Sequence, residues 1–280
     1  MRETEVLISM DVEPDLTQYL SNSYIGVEKG LPPFLDLLDE QGIIIDLFFT
    51  ADITKRYSKL TKHIADRGHG IGCHGYSHTP HFYCNLSFED QLTDISRASN
   101  EIKKNLGSTP TMFRTPNFSA NGDTIKVIEQ LGYTIDSSVL PGRHTKRWKL
   151  FTLFDHRNAP RRPYYPSEND ITAQGNSSVL EIPLTENPHM TGAPVGMGYL
   201  NYAGLKKTIA TIEEVESEYV TFLIHPWELL DIKEYHPNLK PWVYDICSSD
   251  LEPFSSLLEY IDKNFKFTTL KGVRDGYAGD

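Results

Sequence analysis

Apolar runs of strand length alternate along this chain with longer stretches in which apolar residues recur every three or four positions. Val6–Met10 is the first such run. Residues 33–41 have helical spacing and meet Gly42 at their end, and Ile43–Phe49, β-branched and aromatic, reads as a buried strand. Ile53, Tyr57, Leu60 and Ile64 repeat at helical spacing ahead of Gly68, and His69–Cys73 reads as a short strand. Ser87 opens the clearest helix. With Asp90 three residues on it resembles a capping box, Leu92, Ile95, Ile102 and Leu106 make an apolar stripe, and Gly107 suits a C-terminal cap. Thr111–Phe113 and Tyr133–Ile135 read as strands on either side of a helix marked by Ile125, Ile128 and Leu131. Val179–Ile182 and Val220–Ile224 flank another, marked by Leu205, Ile209 and Ile212, and Leu251–Phe265 (helical) and Phe267–Leu270 (extended) close the pattern.

Between about residues 138 and 178 the period disappears, and Pro, Arg and Asn punctuate the chain. A loop of that length is expected to be a covering or functional excursion. Elsewhere the strand–helix alternation predicts an α/β fold with a parallel sheet, in one catalytic domain spanning residues 1–280, a length suited to a single α/β barrel. In such folds working residues sit where strands end.

Composition narrows the function. The net charge of −11 argues against nucleic acid as a partner. No stretch approaches the roughly 20 apolar residues of a membrane helix. The first apolar run is too short for a signal-peptide core, so the expected location is cytoplasmic. Cys73, Cys84 and Cys247 match no metal or redox spacing and read as inert thiols. From Arg143 to Asp170 the charge reverses locally: seven basic residues (Arg143, Lys146, Arg147, Lys149, Arg157, Arg161, Arg162) stand against three acidic ones. This segment is either a solvated loop or a flap for an anion, such as a phosphate or a uronate.

Chemistry-bearing residues do gather at the strand ends. The first strand runs into Asp11-Val12-Glu13, two carboxylates that start on one side if the strand continues, a costly pairing without a cation or proton between them. Another ends in His74-Gly75-Tyr76-Ser77-His78, two histidines at the spacing of one helical turn, without the Glu that would follow the first His in a zinc protease. His69 and His81 nearby are read as peripheral. A third ends in Arg114-Thr115-Pro116-Asn117, whose arginine can orient a carboxylate. The last long strand ends in His225-Pro226-Trp227-Glu228, with a candidate acid or base in His225. Two histidines and a carboxylate make a catalytic zinc site with an open position, and a second carboxylate, an arginine and a further histidine complete an acid–base set.

In order and spacing these segments resemble the polysaccharide deacetylase family (carbohydrate esterase family 4, the NodB-homology domain), over roughly residues 5–230. Gly68 to His78 is the most specific piece, with Arg114-Thr115-Pro116 and Leu223-Ile224-His225 resembling later motifs. The resemblance implies a distorted, incomplete (β/α) barrel of about seven parallel strands. It implies a divalent metal, Zn2+ first, on Glu13, His74 and His78, with Asp15 as a substitute carboxylate. It implies Asp11 as base, Arg114 orienting it, His225 as acid, and Leu223 lining a pocket for the acyl methyl. The family's adjacent pair of aspartates is here Asp11-Val12-Glu13. Its fourth motif is degraded to Ile135-Asp136-Ser137-Ser138, where Asp136 is assigned to orient His225. Tyr76, Asn117 and Trp227 are assigned to the substrate, as is the pair Tyr164-Tyr165 for stacking on sugar rings.

The activity implied is N-deacetylation of a sugar in a surface polysaccharide. For a cytoplasmic enzyme the substrate would be a precursor, such as a phosphate-linked sugar that the basic segment would suit. Another amide hydrolase on the same barrel, deformylase or allantoinase-like, would use the same centre. A metal-bearing glycan-binding protein without turnover would not need Asp11, Arg114 and His225 together.

Overall fold

The computed structural model describes residues 4–16, 19–20, 23–78 and 82–277. Strand β1, Glu5–Val12, organises the sheet through its alternation. Val6, Ile8, Met10 and Val12 pack outward against the helices, whereas Leu7 joins the cluster inside the curl of the sheet and Ser9 and Asp11 reach an arginine there. The remaining strands are β2 (Asp46–Phe49), β3 (Gly70–Cys73), β4 (Met112–Phe113), β5 (Ile135–Asp136), β6 (His144–Arg147), β7 (Phe151–Asp155), β8 (Pro166–Ser167), β9 (Asp170–Gln174), β10 (Leu180–Glu181), β11 (Tyr219–Ile224) and β12 (Lys266–Thr268).

Seven of them lie side by side in the order β10-β5-β4-β3-β2-β1-β11, all parallel, and β12 adds to β1. The result is the expected curled, incomplete barrel of seven parallel strands. The gap between β10 and β11 is bridged by the chain after β10: Thr185 N–H donates to Thr221 Oγ1 (2.5 Å), and Leu223 N–H donates to Val195 O (3.0 Å).

Two outer layers cover the sheet. One side packs Phe34, Leu35 and Leu38 of helix Leu31–Gln41 and Phe254, Leu257 and Ile261 of helix Glu252–Asn264 onto β1, β2 and β11. The other packs Ile95, Ala98 and Ile102 of helix Phe88–Leu106 and Ile125 and Ile128 of helix Gly122–Gln130 onto β3 and β4. Ser87 caps the former as expected, its Oγ accepting from Asp90 N–H at 3.1 Å, and Gly107 ends it at φ 82°. Among the described residues no helix is long and apolar enough to cross a membrane.

Some local expectations shift. Ile43–Ile45 are not paired as strand: Ile43 N–H turns back to Leu38 O to close the preceding helix, so pairing begins at Asp46. The helix expected through Tyr57 breaks there (φ −114°, ψ 44°) into Ala51–Arg56 and Ser58–Asp66. The extension expected over Phe267–Leu270 stops at Thr268, and Leu270 starts a short helix, Leu270–Gly276. The excursion carries two antiparallel hairpins, β6–β7 and β8–β9, each with a register shift, which breaks the period-two signal that would have disclosed them.

The helix at Leu270 floors the barrel, packing Leu270 and Val273 against Leu7, Phe48, Met112 and Ile135. Its first N–H donates to Asp46 Oδ2 at 2.7 Å. Burial pushes the Asp46 carboxyl up from 3.8 to about 6, against the lowering effect of the Leu270 hydrogen bond and of Arg114. A carboxyl whose pKa is raised on folding favours the fold while protonated, so its contribution is present below about pH 4 and is lost as pH rises through about 6. Asp46→Asn, which keeps an acceptor for Leu270, should therefore gain about 2–3 kcal/mol over the wild type at pH 7.5 and nothing at pH 4. Urea unfolding at the two pH values reads the difference.

Candidate metal centre and active site

Three parallel strands deliver the central residues to one rim. β1 leads through Asp11 into Glu13, β3 into His74, and β4 into Arg114. His74 and His78 are brought together by a turn at Gly75 (φ 74°), not by the helical turn that their spacing suggests. A Cβ at Gly75 would lie 2.4 Å from the Tyr83 hydroxyl, so both the backbone angle and the space call for glycine.

Glu13, His74 and His78 each aim one ligand atom at a common point, all within 4.8 Å of one another. Glu13 Oε2 lies 2.8 Å from His78 Nε2 and 3.5 Å from His74 Nε2. The His74 Nδ1–H donates to Arg114 O at 2.9 Å, which turns Nε2 toward Glu13. With a cation bound, the same carbonyl would hold the Nδ1–H tautomer whose Nε2 can ligate. Burial works to raise the Glu13 carboxyl, but the charge on His78, hydrogen bonds from His74 and His78, and His225 together hold it well below the usual range. For His78, burial opposes the charge and Glu13 more than restores it, so its pKa rises. Carboxylate oxygen with two imidazole nitrogens suits zinc or a similar divalent ion, with coordination left over for a small ligand.

Behind this group Arg114 is completely buried, with four of its five N–H donors engaged. Nη1 donates to Asp11 Oδ1 at 2.7 Å, Nη2 to Ser9 Oγ at 3.1 Å and Ser137 Oγ at 2.8 Å, and Nε to Ser137 O at 2.8 Å. At the end of β11, His225 has Nε2 4.0 Å from Glu13 Oε1 and Nδ1 3.3 Å from Glu228 Oε2. Burial lowers the His225 pKa, but Glu228, Glu13 and Asp11 overcome it and push it up to about 9. Asp11, Glu13, His74, His78 and His225 all line one open cavity of about 180 Å³.

Residues 6–135 match the polysaccharide deacetylase family model. Over those residues, a little under half of its length, the chain is similar to the polysaccharide deacetylase family. A peptidoglycan deacetylase-like protein of Gibberella zeae is 29% identical over 127 residues, 44% of this chain and 36% of the relative. The chain spans well under half the length of the curated relatives it matches. Among solved structures, an allantoinase superposes with a TM-score of 0.65 at 12% identity, covering 97% of this chain and 89% of its own. A peptidoglycan N-acetylglucosamine deacetylase superposes with a TM-score of 0.56 at 14% identity, covering 99% and 91%. At such identities these two share the fold with this chain.

The other expected residues divide. Asn117 and Trp227 line the cavity, Trp227 stacking on His225 with ring centroids 5.0 Å apart. Asn117 and Phe118 both take positive φ (59° and 56°), a costly geometry for Phe and one that recurs where a backbone is shaped for a ligand. Leu223 is buried with Phe118, Leu140 and Leu184 and borders a second, apolar cleft that shares His225 with the first. Tyr76 faces away, its ring beneath the Arg97 guanidinium at 3.4 Å. Tyr164 and Tyr165 also lie elsewhere: the Tyr164 hydroxyl donates to Ile171 O, and Tyr165 packs on Tyr277. His69 is a buried acceptor for Ile45 N–H, and His81 lies outside the described residues.

Asp15 and Asp136 both differ from expectation. Asp15 spends its oxygens on Ser23 Oγ, Ile25 N–H and Gly26 N–H, which removes it from the ligand set. Asp136 does not reach His225; it accepts from Ser138 Oγ at 2.5 Å and stands opposite Glu181 across the β5–β10 pairing. Burial pushes both carboxyls up, and the charge and hydrogen bond of Asp136 raise Glu181 further. Glu181 in turn accepts from Val139 N–H at 3.0 Å, holding the turn whose Ser137 receives Arg114. The carboxylate beside His225 is Glu228, three residues on and visible in the same segment of sequence, as was Arg143 in the basic run; Trp242 and Tyr19 at the cavity mouth had no signal.

The elevated His225 pKa depends on its neighbours. Glu228→Gln should lower it from about 9 toward 6.5, read from the imidazole C–H resonances of metal-free protein. Because the raised pKa stabilises the fold fully below 6.5 and progressively less up to about 9, the variant should also lose stability at pH 6 but not at pH 10.

Proposed function

We propose that the protein is a metal-dependent hydrolase that removes the acetyl group from the nitrogen of an N-acetylated sugar in a polysaccharide or its precursor. The observation that carries this reading is the convergence on one cavity of a Glu–His–His donor set, an arginine-held carboxylate and a charged histidine. The family-model match over residues 6–135 and the peptidoglycan and chitin deacetylases among the curated relatives favour a sugar amide.

Glu13, His74 and His78 would hold the cation, zinc by its donor set. When bound, such an ion lowers the pKa of water and polarises a carbonyl. Asp11 takes the proton from the attacking water, its carboxylate fixed by Arg114. His225, charged at neutral pH, gives a proton to the departing nitrogen, which would otherwise leave poorly. Glu228 sustains that charge, and Trp227 walls the cavity beside the imidazole. An assembled acid, base and orienting arginine favours turnover over glycan binding alone, because binding needs no proton transfer.

Metal content and acetate release from N-acetylglucosamine oligomers test the reading together. His78→Ala should lose bound metal and turnover. Asp11→Asn should keep the metal while kcat falls by about 10²–10⁴. Full metal retention by the first variant, or undiminished turnover by the second, would overturn the assignment.

A further inference from the structure

The basic segment of the excursion resolves into separate fates. Arg157 pairs with Asp155 at 2.6 Å, Arg161 pairs with Glu186 at 2.5 Å, and the Arg147 guanidinium lies over Trp148. Arg143 differs from the other six basic residues: it lines the cavity that holds Asp11, Glu13 and His225. Its Nη1 donates to Gly192 O at 3.2 Å, and its guanidinium lies 5.8 Å from the Phe118 ring. No carboxylate is paired with it among the described residues, and burial works against its charge. A guanidinium has five N–H donors in a planar fork, so this one keeps capacity for an anion beside its bond to Gly192.

A second donor on the same cavity is also unfilled. Trp227 is 8% exposed, and its Nε1–H is buried without an acceptor among the described residues. Buried donors without partners are costly, and an oxyanion satisfies a guanidinium better than a neutral hydroxyl does because it can accept two parallel charged hydrogen bonds. Asp11 is held by Arg114, Glu13 by His78 and His225 by Glu228, which leaves Arg143 as the cavity-lining cation without a carboxylate partner among the described residues.

We infer that Arg143 binds an anionic substituent, a carboxylate or a phosphate oxyanion, on the N-acetylated sugar, and so makes an anionic sugar the preferred substrate. The inference rests on the sugar-amide reading above and adds the chemical class of the sugar.

Three probes separate the sources: N-acetylglucosamine, N-acetylmuramic acid for a carboxylate, and N-acetylglucosamine 1-phosphate for a phosphate. With zinc-loaded wild type, kcat/KM for acetate release should favour one of the anionic sugars, chiefly through KM, and the advantage should shrink with added salt. Arg143→Gln should cut the anionic-over-neutral ratio by about ten- to hundredfold, and Arg143→Lys should restore part of it. A wild type without anionic preference, or equal losses on neutral and anionic sugars in Arg143→Gln, would overturn the inference. Calorimetric binding of the same sugars keeps the two readings apart. Tighter anionic binding that Arg143→Gln abolishes, with no acetate from any probe, would sink the deacetylase reading and keep the Arg143 site. Turnover of all three sugars with indistinguishable affinities would do the reverse.

Discussion

The buried pair of Arg114 and Asp11 is the constraint on which the rest of this structure depends. Both side chains are removed from water inside the barrel, a placement that costs several kcal/mol per ion unless every donor finds an acceptor. Ser9, Ser137 and Asp11 take four of the arginine's five donors, from β1 and from the turn after β5. The arginine's main-chain carbonyl meanwhile orients His74. One residue therefore fixes the candidate base through its side chain and a candidate metal ligand through its backbone. The two halves of the chemistry cannot drift apart without breaking a fully desolvated network.

Beneath this pair lies an acid pair of a different kind. Asp136 and Glu181 face each other across two short strands, and burial with their mutual repulsion raises the Glu181 pKa, which favours a proton between them. Through Ser138 and Val139 they hold the turn that presents Ser137 to Arg114. The barrel interior is thus layered. An apolar floor closed by Leu270 and Val273 supports a carboxyl pair and an ion pair, and the rim carries a cluster of carboxylates and imidazoles suited to a cation. Polarity rises toward the strand ends, as expected where ligands bind at the carboxyl ends of a parallel sheet.

The excursion between β5 and β10 joins this plan at one residue. Most of its charges are exposed or locally paired, while Arg143 enters the cavity wall beside Phe118. The strained positive-φ backbone at Asn117 and Phe118 lies on the same wall, so the segment after Arg114 and the excursion shape one side of the cavity together. Tyr19 and Trp242, 6.2 Å apart edge to face, form its mouth.

While the seven-stranded curl was implied by the family resemblance, the sequence on its own determined the strand–helix alternation of a parallel α/β fold, the capped helix from Ser87 to Gly107 and the strand-end positions of Asp11, Glu13, His74, His78, Arg114 and His225. Those features follow from local signals: periodicity, capping residues and short spacings within one motif. The pairing of Arg114 with Asp11, 103 residues apart, was legible only because the motif order resembles a known family. Tertiary structure alone decided that Glu228 and not Asp136 neighbours His225, that Asp15 caps a backbone turn, that Tyr164 and Tyr165 lie away from the cavity, and that Arg143 reaches it. Each of those outcomes depends on which side chains a curled sheet and a folded-back excursion bring together, and strand register and loop path are set by packing between distant segments that no local pattern encodes.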